Sequence, residues 1–242
     1  MNTAKIRIAA LALAAGLSGA AQAALHDRGG GLIYDDVLNV TWLQDANYAK
    51  TSGYDADGKM AISDAKAWAG NLSFYDSVRD VVYEDWRLAS NTPATHPFYY
   101  GWWFATQPPS SATEGAHSEL SYMYYENLGL IGYHTTGGAW RSDFGIFGNG
   151  VQAGQNDVGL IQNLQAGEYW SDSDPEPYPY NRPWSFNTSA GNHYLRGNEN
   201  YYAWAVRDGD VAAVPEADTW VMMLAGLGLV AAVARRRKKV EV

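Results

Sequence analysis

Each end of the chain carries an uncharged apolar stretch beside basic residues, and this pairing decides where the residues between them must fold. At the start, Lys5 and Arg7 precede the apolar run 8–17, and small residues lead to Ala21-Gln22-Ala23. A basic region, a short apolar region and an A-x-A site form the pattern of a secretory signal peptide, expected over residues 1–23 with cleavage after Ala23. The run is short for a stable membrane span and has no polar face for an amphipathic core helix. At the other end, residues 219–234 carry no charge. As a helix they extend about 24 Å, against about 30 Å of hydrocarbon, and long basic side chains snorkelling to the interface make up part of the shortfall. Trp220 stands at one edge, and Arg235, Arg236, Arg237, Lys238 and Lys239 stand at the other. The positive-inside rule puts the basic edge in the cytoplasm and the body outside, the orientation that the leader independently demands.

The body is then one domain over residues 24–211, long enough to bury a substantial core. Of the 17 Lys and Arg, Lys5 and Arg7 lie in the leader and five follow Val214, leaving 10. Of the 26 Asp and Glu, only Glu216, Asp218 and Glu241 lie outside, leaving 23 and a net charge near −13. That balance argues against nucleic acid and anionic membrane surfaces as partners. There is no cysteine. An exported body without disulfides rests on its core or on metal, and thiol nucleophiles, Cys-ligated zinc and covalently attached haem are excluded.

Val214-Pro215-Glu216, a short apolar span and an arginine cluster at Arg235, Arg236 and Arg237 follow in order near the end of an exported chain. Together they resemble the PEP-CTERM sorting signal of Gram-negative bacteria, here over residues 212–242, with Ala217 where the second proline would stand. The resemblance implies anchoring in the inner membrane, cutting by an exosortase near Pro215-Glu216, and delivery to the cell surface or exterior. It also implies an association with exopolysaccharide and biofilm.

Within the body, apolar positions 65, 68, 69 and 72 fall on one stripe, which predicts a helix over residues 63–72 with Ser63 as N-cap, Asp64 in its first turn and Trp68 as a core anchor. Residues 31–49 predict two short strands joined by a turn at Asp35-Asp36, after a flexible Gly29-Gly30-Gly31. Residues 118–130 predict a second helix. Residues 137–159 contain seven glycines and read as irregular loop. Residues 172–183, with four prolines, are not helical. Trp184-Ser185-Phe186, Tyr194-Leu195 and residues 201–206 read as strands separated by turns.

Six segments in order resemble the Lcl-type, or "WRLP", domain of bacterial surface proteins. They are Gly31-Leu32-Ile33-Tyr34 with Trp42, Ala65 to Ala69, Asp85-Trp86-Arg87-Leu88, Tyr169-Trp170-Ser171, Trp184-Ser185-Phe186 and Trp204-Ala205-Val206-Arg207. Ala89 replaces the proline, and the cysteines of some relatives are missing. The resemblance implies an α+β, β-rich, C-type-lectin-like domain with one or two short helices, whose N- and C-terminal strands meet. It implies no activity.

Three constellations bear on chemistry. Asp55, Asp57, Gly58, Met60 and Asp64 fit the carboxylate, turn and apolar positions of an EF-hand loop, which makes Asp55, Asp57 and Asp64 the calcium candidates. Gly53 supplies no ligand at the first position and Asp64 is shorter than the usual Glu. The plainer reading of the same residues is an Asp-Gly turn entering a helix. No other cofactor is expected. The five histidines lack metal spacing, and no nucleophile elbow, phosphate loop or dinucleotide motif occurs. Aromatic residues are in excess, with 10 Trp and 17 Tyr. Rings at Tyr99, Tyr100, Trp102 and Trp103 are the candidate sugar-stacking positions, and a core role for them stands equally open. Trp86, Trp170 and Trp204 read as core. The chain is thus expected to be a non-enzymatic adhesion or binding module with extracellular polysaccharide as partner. A purely structural surface protein and a carboxylate-dependent glycan hydrolase are the alternatives. Glu84 and Asp85, adjacent on an extended segment, point to opposite faces and do not make a hydrolytic pair.

Overall fold

The computed structural model describes residues 25–90, 118–135, 139–172, 182–197 and 199–211. These residues are strand-rich with a few short helices, an α+β arrangement dominated by β. The leader, the segment 91–117, most of the proline-rich segment and residues 212–242 lie outside this description. The predicted membrane span 219–234 is among them. No helix of the described residues is long and apolar enough to cross a membrane.

Strand β1 (Leu25–Gly29) pairs antiparallel with β2 (Leu32–Asp35), and β2 with β3 (Val40–Leu43). The glycines expected to be flexible instead make the β1–β2 turn: Gly29, Gly30 and Gly31 all have positive φ, at 68°, 64° and 85°. At Gly30 a Cβ would stand 2.5 Å from Asp76 Oδ1, so the position needs glycine for space as well as for conformation. The β2–β3 turn forms as predicted. Asp35 Oδ1 accepts hydrogen bonds from the amides of Val37 and Leu38 at 3.0 and 2.9 Å, an Asx turn that reverses the chain.

Helix α1 (Tyr48–Thr51) leads to β4 (Lys59–Met60) and helix α2 (Ile62–Gly70). In α2, Ala65, Trp68 and Ala69 are buried as the stripe requires. Ala61, not Ser63, occupies the N-cap, without a side-chain bond, and Ser63 is exposed within the first turn. Ile62 packs against the core, which draws the cap two residues earlier than the polar signal suggests. The hairpin of β5 (Phe74–Asp76) and β6 (Val81–Tyr83) follows, then β7 (Arg87–Leu88). Asp76 is fully buried. It is paired with Arg79 at 2.5 Å, and Arg79 Nη2 donates to the Arg28 carbonyl at 2.7 Å, locking this hairpin onto the β1–β2 turn.

The predicted second helix begins as α3 (Glu119–Tyr122) and continues as a π-helical turn over Met123–Asn127. The glycine-rich region is irregular until Gln155, where β8 (Gln155–Val158) and β9 (Ile161–Gln165) form a further hairpin. Strands β10 (Glu168–Trp170), β11 (Trp184–Asn187) and β12 (Asn192–Leu195) form an antiparallel series. The segment expected to be one strand over residues 201–206 is two, β13 (Tyr201–Tyr202) and β14 (Ala205–Asp208).

These last two strands join different sheets. One sheet has the order β1-β2-β3-β14-β7 and the other β12-β11-β10-β13-β4. Strand β14 sits in the interior of the first, antiparallel to both β3 and β7, so the last strand of the body joins the N-terminal β1-β2-β3 meander through β3. The chain passes between the sheets through Ala203 and Trp204, both buried. The Trp204 ring packs 4.6 Å from Trp42 and 5.9 Å from Tyr169, and its Nε1 donates to the Leu43 carbonyl at 2.8 Å. Trp170 likewise donates to the Met60 carbonyl at 2.7 Å. Trp86, Trp170 and Trp204 are core, as expected, and each of the latter two satisfies its indole N–H on buried backbone. Leu32, Ile33, Trp42, Leu43, Leu88, Tyr169 and Phe186 complete the interior.

Candidate functional site

The calcium candidates are all described: Asp55 and Asp57 lie in turns and Asp64 in helix α2. Helix α1 ends at Ser52, whose amide bonds to the Tyr48 carbonyl, and Gly53 follows in the left-handed region at φ 78°. Asp55 Oδ1 accepts from the amides of Asp57 (3.0 Å) and Gly58 (2.8 Å), and Asp57 Oδ1 accepts from Lys59 (3.0 Å). The Asp57 amide, and then the other bonds to the charged form, hold the Asp55 carboxyl below the usual carboxylate range. Asp64 stands exposed in the first turn of α2. Among the described residues no group of three or more His, Cys, Asp or Glu is arranged to hold a metal ion, so the structure does not gather Asp55, Asp57 and Asp64 into one. Gly58 is fixed by its surroundings: its φ is 83°, and a Cβ there would fall 1.9 Å from the buried Asn47 Oδ1.

The same turn builds a groove. The left-handed step at Gly53 turns Tyr54 outward, 58% exposed, beside the end of α2, where its ring centroid lies 6.4 Å from that of Trp68. Trp68 itself is buried, so it serves as a wall and Tyr54 as the open surface. Ser52, Asn71, Leu72 and Ser73 complete the lining of an open groove of about 380 Å³. Asn71 Nδ2 donates to the Ala67 carbonyl at 2.8 Å, which fixes the amide against the helix end. No carboxylate, ammonium or guanidinium lines the space. Sequence reasoning passed over Tyr54. The available signal was an aromatic residue directly after a glycine at a helix end.

Tyr99, Tyr100, Trp102 and Trp103 lie outside the described residues; the described residues on either side of them, Arg87 to Ser90 and Glu119 to Leu120, are bonded together. Arg87 donates to Glu119 through Nη1 and Nη2, each at 2.7 Å, and the Ser90 amide donates to Glu119 Oε2 at 2.7 Å. The Leu120 amide donates to the Ser90 carbonyl at 3.2 Å. Glu119 is buried, and Arg87 also reaches Asp208 on β14 at 2.6 Å. Ser90 and Glu119, the described residues on either side, are thus bonded to each other beside β7. Glu84 and Asp85 take separate partners: Asp85 makes two 2.8 Å bonds with Arg207, whose guanidinium also lies 4.4 Å from the Tyr83 ring centre, while Glu84 stands near the Ser73 hydroxyl. The Arg207 bonds hold the Asp85 carboxyl below its usual range.

Val214, Pro215, Glu216, Arg235, Arg236 and Arg237 also lie outside the described residues. Comparison with known families finds that residues 213–238 match the PEP-CTERM protein-sorting motif. The motif implies an exported surface protein, anchored in the membrane by its C-terminal region before processing, with exosortase as the processing partner. No curated protein and no solved structure matches the chain.

Proposed function

We propose that the exported chain crosses the inner membrane once with its body outside, is cut by an exosortase near Pro215-Glu216, and then serves at the cell surface or in the matrix as a non-enzymatic binding or adhesion module for extracellular polysaccharide. The match of residues 213–238 to the sorting motif carries the reading. The leader over residues 1–23 and the basic residues 235–239 support the same orientation. A body free of cysteine and rich in aromatic side chains supports a module built on an aromatic core with rings to spare for sugar faces. The Lcl-type, C-type-lectin-like assignment belongs to this reading, and the adjacency of β3 and β14 supports it. The alternative of a structural surface protein without a small ligand draws support from the burial of Trp42, Trp68, Trp86, Trp170, Trp184 and Trp204, which makes much of the described aromatic excess core.

The test is fractionation in a host with and without an exosortase. With the enzyme, the wild-type body leaves the inner membrane shortened at its C terminus. A Pro215→Ala, Glu216→Ala double variant stays membrane-bound at the longer size. An intact chain in the cytosol, with both termini attached, refutes the reading, and a released body that binds no polysaccharide of the matrix leaves only the structural alternative.

A further inference from the structure

We propose that the groove between the end of α1 and the end of α2 is a binding site for a neutral saccharide, with Tyr54 as its stacking platform. The inference rests on the polysaccharide reading above and assigns it a place. Sugars are recognised by an aromatic face against their C–H surface and by hydroxyl and amide groups around their edge, and here the two occur together. Tyr54 offers an open ring, braced by Trp68 at 6.4 Å and an interplanar angle of 52°. Ser52, Ser73 and Asn71 offer two hydroxyls and an amide around it. The volume of about 380 Å³ lies at the small end of ligand sites, the scale of one or two sugar rings.

The surroundings select against negative charge. The lining contains no basic group to meet an anion. The C-terminal end of the nine-residue helix α2 brings its negative dipole end to the groove, and Asp55 follows Tyr54 directly in the chain. A uronate or sulfated sugar meets a negative field here, whereas a neutral hexose donates its hydroxyls to it. The open rim and single platform fit an internal unit of a long polymer, which must enter from the side.

The experiment uses the full chain in detergent, titrated with neutral glucan, galactan and mannan hexasaccharides and with a uronic acid hexasaccharide. Tryptophan fluorescence follows binding, and hydrogen exchange read by mass spectrometry locates it. At least one neutral hexasaccharide protects peptides covering residues 50–73, and the uronate does not. Tyr54→Ala weakens that binding at least tenfold with an unchanged melting temperature, and Tyr54→Phe, which keeps the ring, stays within threefold of wild type. Protection elsewhere with residues 50–73 unchanged overturns the groove but keeps the polysaccharide reading. No binding of any saccharide overturns both. Full affinity in Tyr54→Ala, or preference for the uronate, overturns the assignment of platform or charge selection.

Discussion

Replacing Glu119 by Ala opens the clamp that joins β7 and Ser90 to the start of α3, and its cost can be worked from three bonds. The Ser90 amide loses its acceptor, and an orphaned N–H in a part-buried site costs about 1–3 kcal/mol. The Arg87 guanidinium loses both bonds to Glu119 but keeps Asp208 at 2.6 Å and the Leu88 carbonyl at 3.1 Å. Its side chain is 30% exposed, so water reaches it. The 3–5 kcal/mol expected for breaking a fully buried pair therefore falls to about 2 kcal/mol. Together the loss is about 3–5 kcal/mol, or a fall in Tm of about 6–20 °C for a domain of this size. Glu119→Gln keeps an acceptor for Ser90 and loses about half as much. Asp208→Ala removes a carboxylate that is 79% exposed and costs about 1 kcal/mol or less. Urea unfolding of residues 24–211, followed by tryptophan fluorescence, measures all three. A Glu119→Ala loss below about 1 kcal/mol, or one equal to that of Asp208→Ala, refutes the reasoning, because the clamp would then be no more than a solvated surface pair.

Two further expectations concern titration and burial. Burial pushes the His193 imidazole down to about 4, below its ordinary 6.5, so the fold holds it neutral and the unfolded chain binds the extra proton between those values. Stability is then lost as pH falls from about 6.5 towards 4, by up to about 3 kcal/mol, and His193→Leu flattens that slope in denaturation curves taken from pH 7 to 4.5; a variant slope equal to wild type removes His193 as the cause. Burial pushes the Asp35 carboxyl up, and Asn127, which donates to it at 2.6 Å, keeps a buried Oδ1 without a partner. Asp35→Asn retains the Asx turn and, once the Asn127 amide rotates, donates to Asn127 Oδ1 while the Asn127 Nδ2 takes the unpartnered place, so one unsatisfied group replaces another and stability at pH 7 changes by less than about 1 kcal/mol; thermal melts showing a loss above about 2 kcal/mol contradict this.

What could be read from the chain was whatever local pattern alone determines. The stripe of Ala65, Trp68 and Ala69 and the Asx turn at Asp35 depend on neighbours in sequence, and both appear. The division of residues 201–206 does not. Tyr201, Tyr202, Ala205 and Val206 are all good strand residues, and only the partners β10, β4, β3 and β7, far off in sequence, assign them to two sheets. The hairpins β5–β6 and β8–β9 went unread for a different reason. Arg79 and Asp80 in one turn, and the glycine count around the other, masked short alternating runs that were present. Gly29-Gly30-Gly31 shows the ambiguity of composition: glycines that permit flexibility equally permit a fixed left-handed turn, and the nearby Asp76 decides between them. For the groove, a sequence names Tyr54 but not its exposure. For Asp55 and Asp57, matching spacing could not tell ligands of an ion from side chains that accept turn amides. The sorting signal was the most legible feature, because its message lies in composition and order, not in packing.

The interior position of β14 also sets a timetable. The first sheet stays split, with β3 and β7 unjoined, until the residues just ahead of the sorting segment arrive. A polypeptide threading outward from its N terminus must therefore emerge almost whole before its body can close. Premature collapse on the wrong side of the membrane is disfavoured by topology alone, since joining β3 to a strand so distant in sequence is slow. Any pull transmitted through the anchor would then fall on a strand laddered on both flanks, where it is harder to peel away than from a sheet's margin.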